Sequence, residues 1–284
     1  MIKTNHSYSS SFSTNKTVAG FTLVELVMVI VVLGILAAGS VKFIAFSAQG
    51  LVDTTERQAL ASSATIAIEK VMREVRRALP NSVRKFTDSG YECIEMVPIL
   101  YSSEYISIPT ASAAISFDSI KFVNGDGTEA GYVAVYPDSL GSVYDANQSI
   151  SSMTATASAV GVPSADLQRI TFSTAPGYRF PTDSPRKRFY LVSQPISFCD
   201  DANGRLWRYQ NYGFHSDSSS SIPTVGSNRT LIADSLKPNS LSFNIQPAQL
   251  QRNAVVRMTV VIARPNSTTE FIDISQEVQL RNVP

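Results

Sequence analysis

One uninterrupted apolar segment near the amino terminus constrains this chain more than any other feature. Residues 21–41 read FTLVELVMVIVVLGILAAGSV, and Glu25 is the only charged side chain among them. At a rise of 1.5 Å per residue, a helix of about 21 residues covers the roughly 30 Å hydrocarbon thickness of a bilayer. The segment is therefore predicted to span a membrane as a single helix.

Charges in front of this segment predict its orientation. The first 20 residues contain Lys3 and Lys16 and no acidic residue, so the positive-inside rule places them in the cytoplasm. The chain after residue 42 is then expected in the periplasm, with one pass through the bacterial inner membrane. A secretory signal would end in a small-residue cleavage site, but residues 37–39 are followed by no break in helical character. The helix is therefore expected to be retained.

The residues at the start of the apolar segment resemble the type IV prepilin signature. Ala19 and Gly20 precede Phe21, and Glu25 follows among leucine and valine residues. In that family a dedicated peptidase cuts after the glycine and methylates the new amino-terminal phenylalanine. The resemblance implies cleavage between Gly20 and Phe21 and N-methylation of Phe21. Many relatives carry a proline where this sequence has Lys42, so the usual cause of a helix kink is missing here.

Glu25 has two interpretations. A carboxylate at the centre of a membrane helix costs about 2.5 to 3.5 kcal/mol on insertion scales, and such residues usually have a functional partner. The prepilin resemblance implies an assembly role, in which Glu25 meets the positively charged amino terminus of a neighbouring subunit and sets axial register. Alternatively, the residue lies about one turn from the helix start, at headgroup depth, where a carboxylate costs little.

Beyond the membrane, residues 43–79 are predicted to continue as an amphipathic helix. Apolar residues recur at three- and four-residue steps from Leu60 to Leu79, with charged residues between them. Pro80 is expected to end the helix, because proline disfavours helical geometry at the residue before it. Three arginines near this end fit two interpretations, complementing the helix dipole or binding an anion. They are Arg73, Arg76 and Arg77.

The remainder, residues 80–284, is predicted to form one β-rich head. Apolar and polar residues alternate with a period of two in several segments, which predicts a mostly antiparallel sheet. These segments are 115–117, 120–122, 132–136, 167–172, 189–192, 206–209, 241–245, 254–263 and 270–280. The last two flank a polar loop and are expected to form a hairpin. Residues 142–163 and 215–228 are rich in small polar residues and are expected to be surface loops.

The predicted fold class is therefore α+β, with a long N-terminal transmembrane and amphipathic helix packed on the sheet of the head. The predicted divisions are a leader at 1–20, a transmembrane part at 21–42, an amphipathic helix at 43–79 and a head at 80–284.

Cys93 and Cys199 are the only two cysteines, and no Cys-x-x-Cys pair is present. A zinc ribbon or thioredoxin-type site therefore has nothing to be built from. Two interpretations remain, a single long-range disulfide in an oxidising compartment or two buried free thiols.

Charge and motifs argue against catalysis and against nucleic-acid binding. The net charge of +1 supplies no basic field for a nucleic-acid backbone. His215, the only histidine after the leader, has no Gly-x-Ser-x-Gly elbow or nucleotide motif to accompany it and is expected to be an exposed loop residue. Asp126 and Glu129 fall short of a calcium ligand set, so a turn is expected there. The segment 207–212 fits either an aromatic ligand surface or ordinary strand alternation. No enzyme activity, cofactor or metal is predicted.

A major pilin is made in thousands of copies and is commonly compact. The large head at residues 80–284 therefore favours a minor pilin. The placement of the cysteines, of segments 192–199 and 203–209, and of the terminal residues 278–284 resembles the minor prepilins of mannose-sensitive haemagglutinin (MSHA) pili. That resemblance implies a role in initiating or capping the pilus. It implies as partners the prepilin peptidase, other minor and major pilins, the inner-membrane assembly platform and, before assembly, membrane lipid. The alternatives are a large pseudopilin of a type II secretion tip complex and a membrane-tethered periplasmic binding protein or enzyme.

Overall fold

The structure is a computed structural model that describes most of the chain after the leader. The described residues are 20–88, 91–125, 129–144, 150–152, 157–158, 166–173, 177–201, 203–216, 228–248, 253–263 and 271–280. Two compact units meet in sequence between Thr55 and Glu56. One long apolar helix and several antiparallel sheets confirm the predicted α+β class. All of the leader except Gly20 lies outside the described residues.

Helix α1 spans Leu23–Arg76 and continues through Lys42 without interruption. The prediction that it reaches Leu79 is wrong, because the chain exchanges helical hydrogen bonds for tertiary ones before Pro80. The amide of Leu79 donates to the carbonyl of Val97 at 2.8 Å, and the amide of Ile99 donates to the carbonyl of Arg77 at 2.9 Å. The last residues of the predicted helix therefore pair with the head instead of extending the helix.

The carboxyl-terminal part of α1 has one buried face, as its apolar spacing predicts. The stripe begins at the half-buried Leu60 and continues at three- and four-residue steps. Its buried members are Ala64, Ala67, Ile68, Val71, Met72 and Val75. Arg73 and Arg76 lie on the exposed face between them. This stripe fixes the end of the helix in the main core of the head.

Fifteen strands form four sheets in the described part of the chain, and every strand pairing is antiparallel. The strands are β1 (Arg84–Asp88), β2 (Tyr91–Met96), β3 (Ile99–Glu104), β4 (Ser116–Ile120), β5 (Tyr132–Ala134), β6 (Ile150–Ser152), β7 (Ala157–Ser158), β8 (Leu167–Thr171), β9 (Arg188–Val192), β10 (Ile196–Asp200), β11 (Leu206–Tyr209), β12 (Arg229–Ala233), β13 (Ser242–Gln246), β14 (Ala254–Ala263) and β15 (Phe271–Leu280). A short helix, α2 (Leu140–Tyr144), lies between β5 and β6.

The antiparallel prediction is confirmed, but the expectation of a single sheet is wrong. The sheet orders are β1-β2-β10-β11-β12, β13-β14-β15, β3-β9-β5-β6 and β4-β8-β7, named here the first to fourth sheets. Pro98 separates β2 from β3, and Pro195 separates β9 from β10. Proline has no amide to continue a ladder. At both prolines the chain passes between the first and third sheets.

The largest core cluster lies between α1, the first sheet and the second sheet. Met72 and Val75 from the helix meet Ile94 and Phe198 from the first sheet and Met258 from the second, and all five are at most 1% exposed. A second cluster, rich in aromatic rings, is formed by the third and fourth sheets around Phe117, Phe180 and Phe189. The helix end is therefore part of the head's own core.

The predicted hairpin and the two predicted loops have different outcomes. The final hairpin is confirmed by continuous pairing from Ala254 opposite Leu280 to Ala263 opposite Phe271. Residues 142–163 are not simply a surface loop, because they hold the end of α2 and the short strands β6 and β7, which pair with β5 and β8. Most of the predicted loop 215–228 lies outside the described residues.

Candidate functional site

The predicted processing residues lie in an exposed, non-helical segment directly before α1. Gly20, Phe21 and Thr22 precede the first residue of α1. The side chain of Phe21 is 80% exposed, and an added Cβ at Gly20 would meet no atom within 4 Å. A non-helical and exposed segment is accessible to a peptidase. The geometry is therefore compatible with cleavage between Gly20 and Phe21.

Thr22 is a helix cap that the motif alone did not identify. Its Oγ1 atom accepts a hydrogen bond from the amide of Glu25 at 3.3 Å, and its carbonyl accepts one from the amide of Leu26 at 3.2 Å. The signal in the sequence is Thr-x-x-Glu at residues 22–25, the spacing of a capping box. The helix start is thus fixed two residues after the predicted cleavage point.

Glu25 occupies the first turn of α1 with an exposed side chain. A carboxylate there is favoured by the positive end of the helix dipole. The dipole explains why a charged side chain is tolerated at the helix start. Because the carboxylate is exposed, a second molecule can reach it. Both interpretations of Glu25, interfacial placement and pairing with a neighbouring subunit, are compatible with it.

The first part of α1 presents apolar side chains all round. An 18-residue window within Leu23–Arg76 has the length and composition to cross a membrane, and none of it is buried in the protein. Leu23, Ile30 and Leu36 are each more than half exposed. Such a surface is stable only in contact with lipid or with other apolar helices. The helix therefore requires a partner outside the described chain.

Cys93 and Cys199 are joined by a disulfide in the structure. The residues stand directly opposite each other on β2 and β10, with Cα atoms 4.3 Å apart. They are 106 residues apart in sequence, and both are buried beside Phe86 and Tyr209. The bond cross-links the centre of the first sheet.

A buried polar cluster lies next to this cross-link. Arg84 forms an ion pair with Glu95, and the two side chains are only 10% and 3% exposed. The hydroxyl of Tyr212 donates to the other Glu95 oxygen at 2.8 Å, and burial raises the pKa of this phenol well above its usual range. Arg84 also lies 3.6 Å from the centre of the Tyr144 ring and donates to the carbonyl of His215 at 2.8 Å. The cluster fastens residues 212–216 to the first sheet.

His215 is half-buried rather than exposed as predicted. Its Nε2 atom lies 2.7 Å from the carbonyl oxygen of Tyr212, and its ring stacks on that tyrosine. These contacts hold the imidazole in a structural role. Trp207 is similarly engaged, because its indole N–H donates to Asp201 at 3.0 Å and Arg229 lies 4.2 Å from the ring centre. The interpretation of residues 207–212 as ordinary sheet structure therefore accounts for Trp207.

Asp200 is a buried acid that the sequence did not single out. It is 5% exposed, and its Oδ1 atom has no hydrogen-bond partner in the described structure. Burial raises the pKa of this carboxyl to about 6, and the negative charges of Glu92 and Asp201 add to the rise. Glu92 itself accepts a hydrogen bond from the amide of Phe243 at 2.7 Å. These acids therefore lie near the contact between the first and second sheets.

No cluster of three or more His, Cys, Asp or Glu side chains that could hold a metal occurs among the residues that the structure describes. Glu129 lies near the turn at Asn124, whose φ is 61°, while Asp126 lies outside the described residues.

Comparison with known proteins identifies the N-terminal segment. Residues 15–41 match the prokaryotic N-terminal methylation motif. No curated protein and no solved structure matches the chain. The matched range contains Gly20, Phe21 and Glu25 together with the exposed apolar part of α1. A methylation motif on a long apolar helix supports membrane anchoring, processing by a prepilin peptidase and assembly with other pilins, and in this segment the chain is similar to type IV prepilins.

Proposed function

We propose that this chain is a minor type IV pilin, which is cut by prepilin peptidase and incorporated to initiate or cap a pilus. The observation that carries the proposal is the methylation motif at residues 15–41, on a helix whose apolar surface is exposed all round. Such a helix can leave the bilayer only if another apolar surface replaces the lipid. In a filament, the apolar N-terminal helices of neighbouring pilin subunits pack together and supply that surface.

The order of events follows from the positions of three residues. Gly20 and Phe21 lie outside the helix, where a peptidase can reach the bond between them. Cleavage there creates a positively charged amino terminus beside Thr22, and methylation then modifies Phe21. Glu25 of an incoming subunit pairs with that amino terminus and sets the axial step between subunits.

The large head supports a specialised subunit rather than the main repeating one. The unit from Glu56 to Pro284 contains the four sheets and the disulfide. We place this head in the periplasm before assembly, as the charges of the leader predict, and at the pilus fibre or tip afterwards. Within this proposal the protein resembles the MshO minor prepilin of MSHA pili and performs no catalysis.

Processing is tested by expressing the full-length chain with and without a prepilin peptidase. The mass of the mature protein should correspond to residues 21–284 with one added methyl group. Gly20→Leu should leave the leader attached. Gly34→Ala is the matched control, because an added Cβ at Gly34 meets no atom within 4 Å, and it should be cut normally. Wild-type protein that stays uncut would refute the proposal.

A large pseudopilin of a type II secretion system would carry the same N-terminal motif. A deletion strain separates the two functions. Loss of surface pili with normal exoprotein secretion supports the minor pilin. Loss of secretion with normal pili supports the pseudopilin instead.

A further inference from the structure

A basic cleft opens on the head, on the face of the third sheet near the end of α1. Its volume is about 700 Å³, within the range of small-molecule sites. Strands β3 and β9 provide one wall, and the turn after α1 provides another through Ala78 and Pro80. Asn253, immediately before β14, lies at the rim. All of these residues belong to the unit that begins at Glu56.

Three arginines line this cleft. They come from separate parts of the chain: Arg76 from the last turn of α1, Arg186 from the turn before β9, and Arg188 from β9 itself. None of them has an ion-pair partner within the described residues. Among the described residues, Glu104 is the only acid lining the cleft, and it stands opposite Arg188 in the β3–β9 register. The described lining therefore carries three positive charges and one negative charge, a net charge of +2.

Unpaired guanidinium groups around one cavity favour a ligand with oxyanions. Each guanidinium presents several N–H donors in a plane that matches a carboxylate or sulfate group. The arginines are spread over different elements and are not stacked on one helical turn. An ordinary complement to the helix dipole would involve Arg76 alone, and it does not explain Arg186 and Arg188.

The other polar groups of the cleft favour hydroxyls on the same ligand. Ser102 and Asn253 are exposed at its wall and rim and can exchange hydrogen bonds with hydroxyl groups. Glu104 can accept hydrogen bonds from hydroxyls but would repel a bare phosphate or sulfate ion. A ligand that carries both oxyanions and hydroxyls satisfies all of these groups.

We propose that the cleft lined by Arg76, Arg186, Arg188 and Glu104 binds an acidic saccharide, that is, a sugar bearing carboxylate or sulfate groups. The arginines hold the oxyanions, and Glu104, Ser102 and Asn253 bind the sugar hydroxyls.

The test is isothermal titration calorimetry of full-length protein in a neutral detergent, at constant and moderate ionic strength. The probes are a sulfated heparin disaccharide, the neutral disaccharide maltose and inorganic sulfate. We expect the sulfated disaccharide to bind at least tenfold more tightly than either of the others. The Arg76→Gln/Arg186→Gln variant should weaken its binding at least tenfold, because charge-assisted hydrogen bonds are lost.

Arg73→Gln is the matched control, because Arg73 is exposed on the same end of α1 but does not line the cleft. It should leave binding unchanged. Glu104→Gln should strengthen the binding of inorganic sulfate more than that of the disaccharide, because it removes the repelling charge but also weakens an acceptor for the sugar hydroxyls. Arg76 and Arg186 are both exposed, so thermal melting should show that their variants remain folded.

Three outcomes would overturn this inference. Arg73→Gln could weaken disaccharide binding as much as the double arginine variant does, inorganic sulfate could bind as tightly as the disaccharide, or the disaccharide could fail to bind. The assay uses purified protein and measures neither processing nor piliation, so its failure leaves the minor-pilin proposal separately testable.

Discussion

Removing the cross-link between Cys93 and Cys199 should destabilise the head strongly. The two residues are 106 positions apart, so the bond closes a long loop in the unfolded chain. In the chain-entropy model, removing a cross-link that closes a loop of this length lowers the free energy of unfolding by about 5 kcal/mol at 25 °C. A domain of this size loses roughly 2 to 4 °C of melting temperature per kcal/mol, which predicts a fall of about 10 to 20 °C.

The clean perturbation is the double variant Cys93→Ala/Cys199→Ala. Cys93 is fully buried and Cys199 is 5% exposed, so reductant cannot reach the bond in the folded protein, and a single substitution would leave a buried thiol. Circular dichroism during heating compares this variant with oxidised wild-type protein. A third sample, wild-type protein reduced in denaturant and refolded with reductant, should melt near the double variant.

Agreement between the reduced protein and the double variant would assign the loss to the cross-link and not to the alanines. A melting temperature of the double variant within about 2 °C of oxidised wild type would refute the loop-closure reasoning. Such a result would mean that the unfolded chain already keeps β2 and β10 close together.

Other substitutions test separate parts of the structure. Glu25→Ala should leave cleavage and methylation intact but block incorporation into pili, and normal piliation of this variant would exclude the assembly role. Burial raises the pKa of Asp200 to about 6, so the folded protein holds a proton that the unfolded chain releases near pH 4. This group's contribution to stability is therefore complete below about pH 4 and is lost as pH rises through 6, and Asp200→Asn should flatten the fall in melting temperature over that range. Phe198→Ala should cost about 3 to 5 kcal/mol in denaturant unfolding, because the ring is 1% exposed in the main core, whereas Val123→Ala, at an 82% exposed site, should cost little.

The final hairpin was predictable from the sequence. In β14 the fully buried residues recur at every second position from Val256 to Ile262, and in β15 the buried or half-buried residues do so from Ile272 to Leu280. The antiparallel pairing of the two strands confirms the predicted hairpin. Period-two alternation arises because one face meets the core and the other meets solvent. The predicted strands at 206–209 and 254–263 coincide with β11 and β14.

Two strands buried on both faces, β2 and β10, were missed because they show no such alternation. All five residues of β10 are buried, including Ser197 and Asp200, so no polar face marks the strand. In β2, Ile94 packs in the main core. On either side of it, Cys93 forms the disulfide and Glu95 forms the buried ion pair with Arg84. Their period cannot be read from residue types, because polar side chains such as Glu95 and Ser197 occupy buried positions.

The sequence by itself determined the long apolar helix, its start and the N-terminal methylation motif. These features are local: the length of an apolar segment, the capping residue Thr22, and the residue types at Gly20, Phe21 and Glu25. Tertiary structure alone decided where α1 ends, how the strands divide into four sheets, and which arginines share a cleft. Those outcomes depend on residues far apart in the chain that the fold brings together, such as Leu79, which donates a hydrogen bond to Val97, and Arg76 and Arg188, which line one cleft. The local sequence pattern does not specify such arrangements.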